Sequence, residues 1–247
     1  MRRFGWTLLG AGLLALCSVN MAFATAELEL VSGGVTLSLN DNGAVTCVGF
    51  CGAFSATDLN PTTGAISVFA SNLNGWSVTI STGSSNSPNC SGGNGPGCLD
   101  NTTITTQSNG AGTLTVYFAD TGFTTEAGFT VSESAASITG TGSTAQTQGF
   151  KGTGALPAPG SLSAFSATQI GANLNLGVGL AEGAQTSGSG ATGPFDLELV
   201  TTFTAGSGGG SFNVDSNIAA VPEPVSMVLA GTLFVLVGVG FRRRKVS

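Results

Sequence analysis

From Glu27 onward, apolar and polar residues alternate in short bursts. Leu28-Glu29-Leu30 and Val35-Thr36-Leu37-Ser38-Leu39 have the period of two that half-buried strands require. Asn40-Asp41-Asn42-Gly43 then gives a tight-turn signal before a third burst, Ala44 to Val48. The same pattern predicts strands over 65–70, 76–80, 102–106, 113–119, 128–132, 172–178, 195–203 and 211–214. Gly, Asn, Ser and Pro fill nearly every gap, and no helical stripe runs through this region. Many short strands with turn-rich spacing predict an all-β fold, an antiparallel β-sandwich of jelly-roll-like form. The Gly/Ser/Thr-rich stretches 140–160 and 185–193 read as long loops, and 205–210 as a wide hairpin loop. Phe50, Phe54, Phe69, Trp76, Phe118, Phe123, Phe129, Phe195 and Phe203 are the expected aromatic core.

The two ends depart from this pattern. Met1-Arg2-Arg3 precedes an uncharged run from Phe4 to Cys17, and Ala22-Phe23-Ala24 and Ala24-Thr25-Ala26 both match a small-x-small cleavage pattern. A cationic start, a short apolar core and small residues in that order predict a secretory signal peptide over 1–26. At the other end, Val225 to Phe241 is uncharged and apolar, and Arg242, Arg243, Arg244 and Lys245 follow it. Seventeen residues make about 26 Å of helix, near the lower limit for a bilayer span. Pro222 and Pro224 fix its start, and the four cations should stay on the cytoplasmic side as a basic stop-transfer. The expected organisation is therefore a signal peptide over 1–26, a secreted β-rich domain over 27–218 and an anchor segment over 219–247. The transmembrane part spans 225–241 and the basic tail 242–245.

Composition sharpens this partition. The 247 residues contain 39 glycines, no histidine and only 8% charged side chains, against roughly a quarter in ordinary soluble domains. Lys151 is the one base between the ends, so 12 acids against 1 base give residues 27–221 a net charge of −11. Without histidine there is no Ser-His-Asp triad, Cys-His pair or imidazole metal site. A single lysine cannot neutralise a phosphate backbone, which excludes nucleic acid as a partner.

The tail, with Pro222-Glu223-Pro224, the hydrophobic span and the Arg-rich end in that order, resembles the PEP-CTERM sorting signal of Gram-negative bacteria. The resemblance covers about the last 27 residues. It implies processing by an exosortase after signal peptidase has acted, transient anchoring in the inner membrane, and delivery to the cell surface or to an exopolysaccharide or biofilm matrix. Such proteins are often glycosylated.

Four cysteines remain after signal removal: Cys47, Cys51, Cys90 and Cys98. An even number outside the cytoplasm reads first as disulfides. The local pairs Cys47–Cys51 and Cys90–Cys98 are favoured because each brackets a Gly-containing loop, although three connectivities are open. Their spacing fits a zinc site poorly, so no metal site is expected. Asp41, Asp58, Asp100 and Asp120 lie in turn-like sequence and could bind calcium, but no calcium-loop motif supports that, and no cofactor is expected. Asp196 and Glu198 share a strand face that reads as solvated. No Ser or Thr sits in a nucleophile elbow. The expectation is a non-enzymatic exported protein of the cell surface or matrix. A carbohydrate-binding or adhesion module, and a secreted hydrolase using carboxylates, are the alternatives.

Overall fold

In a computed structural model of the chain, the described residues are 26–41, 43, 45–49, 64–85, 87, 90, 98–124, 126–153, 156–157, 160–165 and 167–221. The signal peptide, Cys51, Pro222, Glu223, Pro224, the 225–241 span and the Arg242–Lys245 tail lie outside them. Among the described residues, no helix is long and apolar enough to cross a membrane.

The described residues form thirteen strands. They are β1 (Glu27–Ser32), β2 (Val35–Asn40), β3 (Val45–Val48), β4 (Ala65–Leu73), β5 (Trp76–Ser85), β6 (Leu99–Ser108) and β7 (Gly112–Phe123), followed by β8 (Glu126–Thr139), β9 (Thr144–Gly152), β10 (Thr168–Leu176), β11 (Gly179–Ala191), β12 (Phe195–Ala205) and β13 (Gly210–Ala220). Their pairings are antiparallel. One sheet runs β10-β9-β12-β7-β1-β2-β3 and the other β11-β8-β13-β6-β5-β4. Two antiparallel sheets with their apolar faces together are a β-sandwich, as the alternation predicts.

Strand chemistry explains the layering. Leu28 and Leu30 of β1, Val116 and Phe118 of β7, and Leu197 and Leu199 of β12 are buried in the core between the sheets. Two aromatic groups fill opposite ends of that core. Phe203 packs on Phe212 (5.2 Å between ring centroids) and Phe212 on Trp76 (5.8 Å). Phe195 packs on Phe123 (5.7 Å) and edge-on to Phe129 (5.5 Å). The Asn40–Gly43 turn forms where the sequence places it, with the Gly43 N–H on the Asn40 carbonyl. Asn74 and Gly75, both at positive φ, turn the β4–β5 hairpin.

Four expectations need correction. The stretches 140–160 and 185–193 are not simply loops, since Thr144–Gly152 forms β9 and β11 runs on to Ala191. Each strand holds glycine where a side chain would collide with a neighbour, Gly149 in β9 and Gly188 and Gly190 in β11. A Cβ on Gly149 of β9 would press on Val131 and Ile218 from the facing sheet. Phe69 is 44% exposed and no part of the core. Asp120 is buried within β7, and Asp100 lies in β6, so neither is a turn aspartate. Asp196 and Glu198 are each only 4% exposed, so their strand face is not solvated.

At one side of the sandwich the two edge strands cover each other. β10 and β11 meet across the sandwich, and the Ala172 N–H donates to Thr186 Oγ1 at 3.0 Å. Any side chain on Gly171 or Gly188 would collide with the opposite strand. Edge backbone is thereby kept from pairing with other chains. Cys90 and Cys98 form a disulfide, and both are buried in the core. Cys47 is also disulfide-bonded, to a partner outside the described residues.

Candidate functional site

Two features stand out. The first is an open cleft of about 780 Å³ at the edge where β8, β9, β10 and β11 meet. Glu126 and Ala127, then Lys151, Gly152 and Thr153, form part of its wall, and Ala167, Thr168, Gly190, Ala191 and Thr192 complete it. Lys151 turns toward the opposite sheet and donates to the Ser189 carbonyl (2.6 Å), Ser189 Oγ (2.9 Å) and the Gly190 carbonyl. The lone base of the body therefore clamps β9 to β11 beside the cleft. The walls offer hydroxyls, backbone groups and one carboxyl among small apolar side chains. Such a lining suits a ligand rich in hydroxyl groups better than an apolar one.

The second feature is a group of carboxyls on the outer face of the seven-stranded sheet. Because β1 alternates, Leu28 and Leu30 enter the core while Glu27 and Glu29 point the other way. Across β7, Glu27 and Glu198 are both in register with Ala119, so about 10 Å separates their Cα atoms. Tyr117 of β7 is in register with Glu29. The turn 160–165 lies over these groups, with Leu162 fully buried beneath it. The Leu162 N–H donates to Glu29 Oε2 at 2.8 Å, and Ser38 Oγ donates to Glu27 Oε1 at 2.9 Å.

Burial dominates the proton affinity of this group. Glu198 is pushed up to about 8 by desolvation and then by the neighbouring Glu29 charge. Glu29 is raised by burial and partly restrained by the Leu162 N–H. Glu27 is raised by burial and partly restrained by Ser38. The Tyr117 phenol is raised by burial and by the charges of Glu198 and Glu29. Glu198 Oε1 has no hydrogen-bond partner among the described residues. A protonated Glu198 beside a more readily ionised Glu29 has the polarity of an acid–base pair. Both are buried, at 4% and 1% exposure, and the turn's Leu162 N–H caps Glu29, so a saccharide does not reach them in this fold.

A further carboxyl lies between the sheets. Glu133 of β8 is buried in line with Ser216 and Asn101 on the neighbouring strands. Desolvation pushes it up to about 7. Opposite it, Thr147 Oγ1 bonds Thr201 Oγ1 (3.1 Å), which bonds Ser216 Oγ (3.0 Å). The Thr147 hydroxyl and N–H favour the charged form of Glu133, yet neither carboxyl oxygen completes a hydrogen bond.

The candidate residues read from sequence are distributed unevenly over these features. Asp41 serves as a structural acceptor, taking the Gly64 N–H at 2.7 Å. Asp58 lies outside the described residues. Among the described residues, no three His, Cys, Asp or Glu side chains are placed to hold a metal ion. Sequence reasoning missed Glu27, Glu29 and Glu133, although the alternation of β1 puts both of its glutamates opposite its core leucines.

No protein family matches the chain, and no curated protein matches it. Some solved structures align with it at low TM-scores. TmCBM61 in complex with β-1,4-galactotriose is 7% identical, with a TM-score of 0.35 over 64% of this chain and 87% of that one. A structure of carbohydrate-binding modules from the β-sandwich superfamily is 10% identical, with a TM-score of 0.30 over 83% and 87%. The enzymatically active domain of bacteriophage CBA120 tailspike protein 4 is 12% identical, with a TM-score of 0.32 over 61% of this chain but 20% of that one. At these identities and TM-scores the likeness carries no conclusion about this chain.

Proposed function

We propose that the chain is an exported protein, sorted through its Pro222-Glu223-Pro224 tail by an exosortase to the cell surface or extracellular polymer. There its sandwich body associates with polysaccharide. The observation that carries the binding part is the open cleft at the β8–β11 edge, with its hydroxyl, backbone and carboxyl lining. The sorting part is supported by the charge partition, since six of the seven bases flank the two terminal apolar runs while the body carries −11. The reading is of a binding module that performs no chemistry on its ligand.

The test has two arms. Mature protein should bind exopolysaccharide purified from the producing organism in a saturable way, and Ala127→Trp, which fills the cleft from an exposed wall position, should abolish that binding. Equal binding by the variant would remove the cleft from the reading. Replacing residues 222–247 with a soluble sequence should change processing and envelope fractionation, and unchanged fractionation would remove the sorting part.

A further inference from the structure

The cleft and the buried outer carboxyls are joined by the 160–165 turn. Its Leu162 N–H holds Glu29, and the Gly160 N–H favours the charged form of Glu27. At its other end Phe165 lies so close to Gly152 that a Cβ there would sit 2.7 Å from Phe165 Cζ. Gly152, Ala167 and Thr168 are all cleft wall. One short segment thus rests on the acids with its middle and on the cleft with its end.

The forces on that segment oppose one another. Its N–H groups favour ionised carboxyls, whereas enclosure and mutual repulsion disfavour them. The groups facing the cluster are Glu27 and Glu29 from β1, Glu198 and, two residues along, Asp196 from β12, and Tyr117 from β7. From β2 come the neutral Ser38 and Asn40, in register with Glu29 and Glu27, and from β9 Phe150, in register with Glu198. The turn itself, Gly160 to Phe165, carries no charge. Lys151 is committed to Ser189 and Gly190 at the other sheet. No cation among these residues faces Glu27, Glu29 or Glu198, so their full ionisation is relieved by admitting water.

We propose that the 160–165 turn is a proton-released strap. It stays closed while Glu198 beneath it is protonated, and it lifts when the carboxyls ionise, drawing Phe165 from Gly152 and resetting one wall of the cleft. The role of the cleft rests on the binding function proposed above, whereas the opening of the strap does not.

Hydrogen exchange of the full mature protein, corrected for intrinsic rate, reads the strap directly. Protection of the Leu162 amide should fall about tenfold per pH unit between about pH 5 and 8, while the Phe118 amide in the core strand beneath stays protected. Glu198→Gln should flatten the fall. Glu29→Gln, which removes the charged neighbour of Glu198, should make it end at a lower pH and serves if the first variant does not fold. Leu162 protection that ignores pH, or that falls equally in Glu198→Gln, overturns the strap. If the strap opens but exopolysaccharide affinity does not change over the same range, the coupling to the cleft is overturned. If no exopolysaccharide binds at any pH while Leu162 behaves as expected, the binding function fails and the strap stands.

Discussion

On the outer face of the seven-stranded sheet, Glu27, Glu29 and Glu198 lie under a single turn of chain. Against the inner face, Glu133 reaches across from the other sheet into a row of hydroxyls between two aromatic groups. Burial raises the proton affinity of all four, but the means of relief differ. The outer acids can be hydrated by moving six residues that no sheet pairing holds. Glu133 can be hydrated only by separating the sheets, because Thr147, Thr201 and Ser216 belong to β9, β12 and β13. The same chemistry is therefore a local property on one face and a global one on the other. A protein that buries six of its body's twelve acids among the described residues should record that difference in its response to pH.

The largest expected effect is on global stability. The folded-state value of Glu133 is raised from 4.5 to about 7, so the folded form binds a proton that the unfolded form releases. The stability this group contributes is complete below about pH 4.5 and is lost as pH rises through about 7. The shift corresponds to a loss on the order of 3 kcal/mol. Replacing the acid with an apolar residue of similar size, Glu133→Leu, should remove that part of the slope and leave the variant more stable than the parent at pH 8. Denaturant titrations at several pH values measure both. A parent and variant with parallel profiles would show that the inner acid is not the global sensor.

The hydroxyl row on the inner face gives the next effect. Thr201 bridges Thr147 and Ser216, so Thr201→Val leaves two buried hydroxyls each short of a partner, at a cost of about 1–3 kcal/mol. The outward pair Thr115–Thr202, 3.3 Å apart and only partly buried, is the control, since water can replace the lost partner in Thr202→Val. Equal losses in the two variants, measured by thermal or denaturant unfolding, would erase the distinction between the faces.

How much of this was readable beforehand depended on whether side chains or backbone did the work. β1, β2 and β12 were legible because alternation across one buried face is a side-chain pattern. β11 was not. Its thirteen residues are mostly exposed, and an edge strand needs only its backbone to pair along β8. β9 was hidden for the opposite reason, since close packing by Val131 and Ile218 demands a glycine where a strand signal would have an apolar side chain. Glu198 was misread as solvated and Glu29 passed over, since burial depends on distant chain: the Leu162 N–H that caps Glu29 lies 133 residues away. A glutamate alternating with leucine looks solvated unless that cover is known. The disulfide Cys90–Cys98 is the local pair that the bracketed Gly-containing loop favoured among three open connectivities.

The smallest effect sharpens the outer side of the comparison. Ser38 donates to Glu27 Oε1 and favours its ionised form. Ser38→Ala should therefore raise the Glu27 pKa further and cost about 1 kcal/mol at pH values where Glu27 is ionised, but less in acid, where the neutral carboxyl accepts a weaker bond. Carbon-detected titration of the Glu27 carboxyl by NMR gives the first quantity, and unfolding at two pH values gives the second. An unchanged Glu27 titration would mean that the strap and burial alone set its proton affinity. A shifted titration with Glu133 unmoved would show that the two faces of the sheet titrate independently, as a local and a global device must.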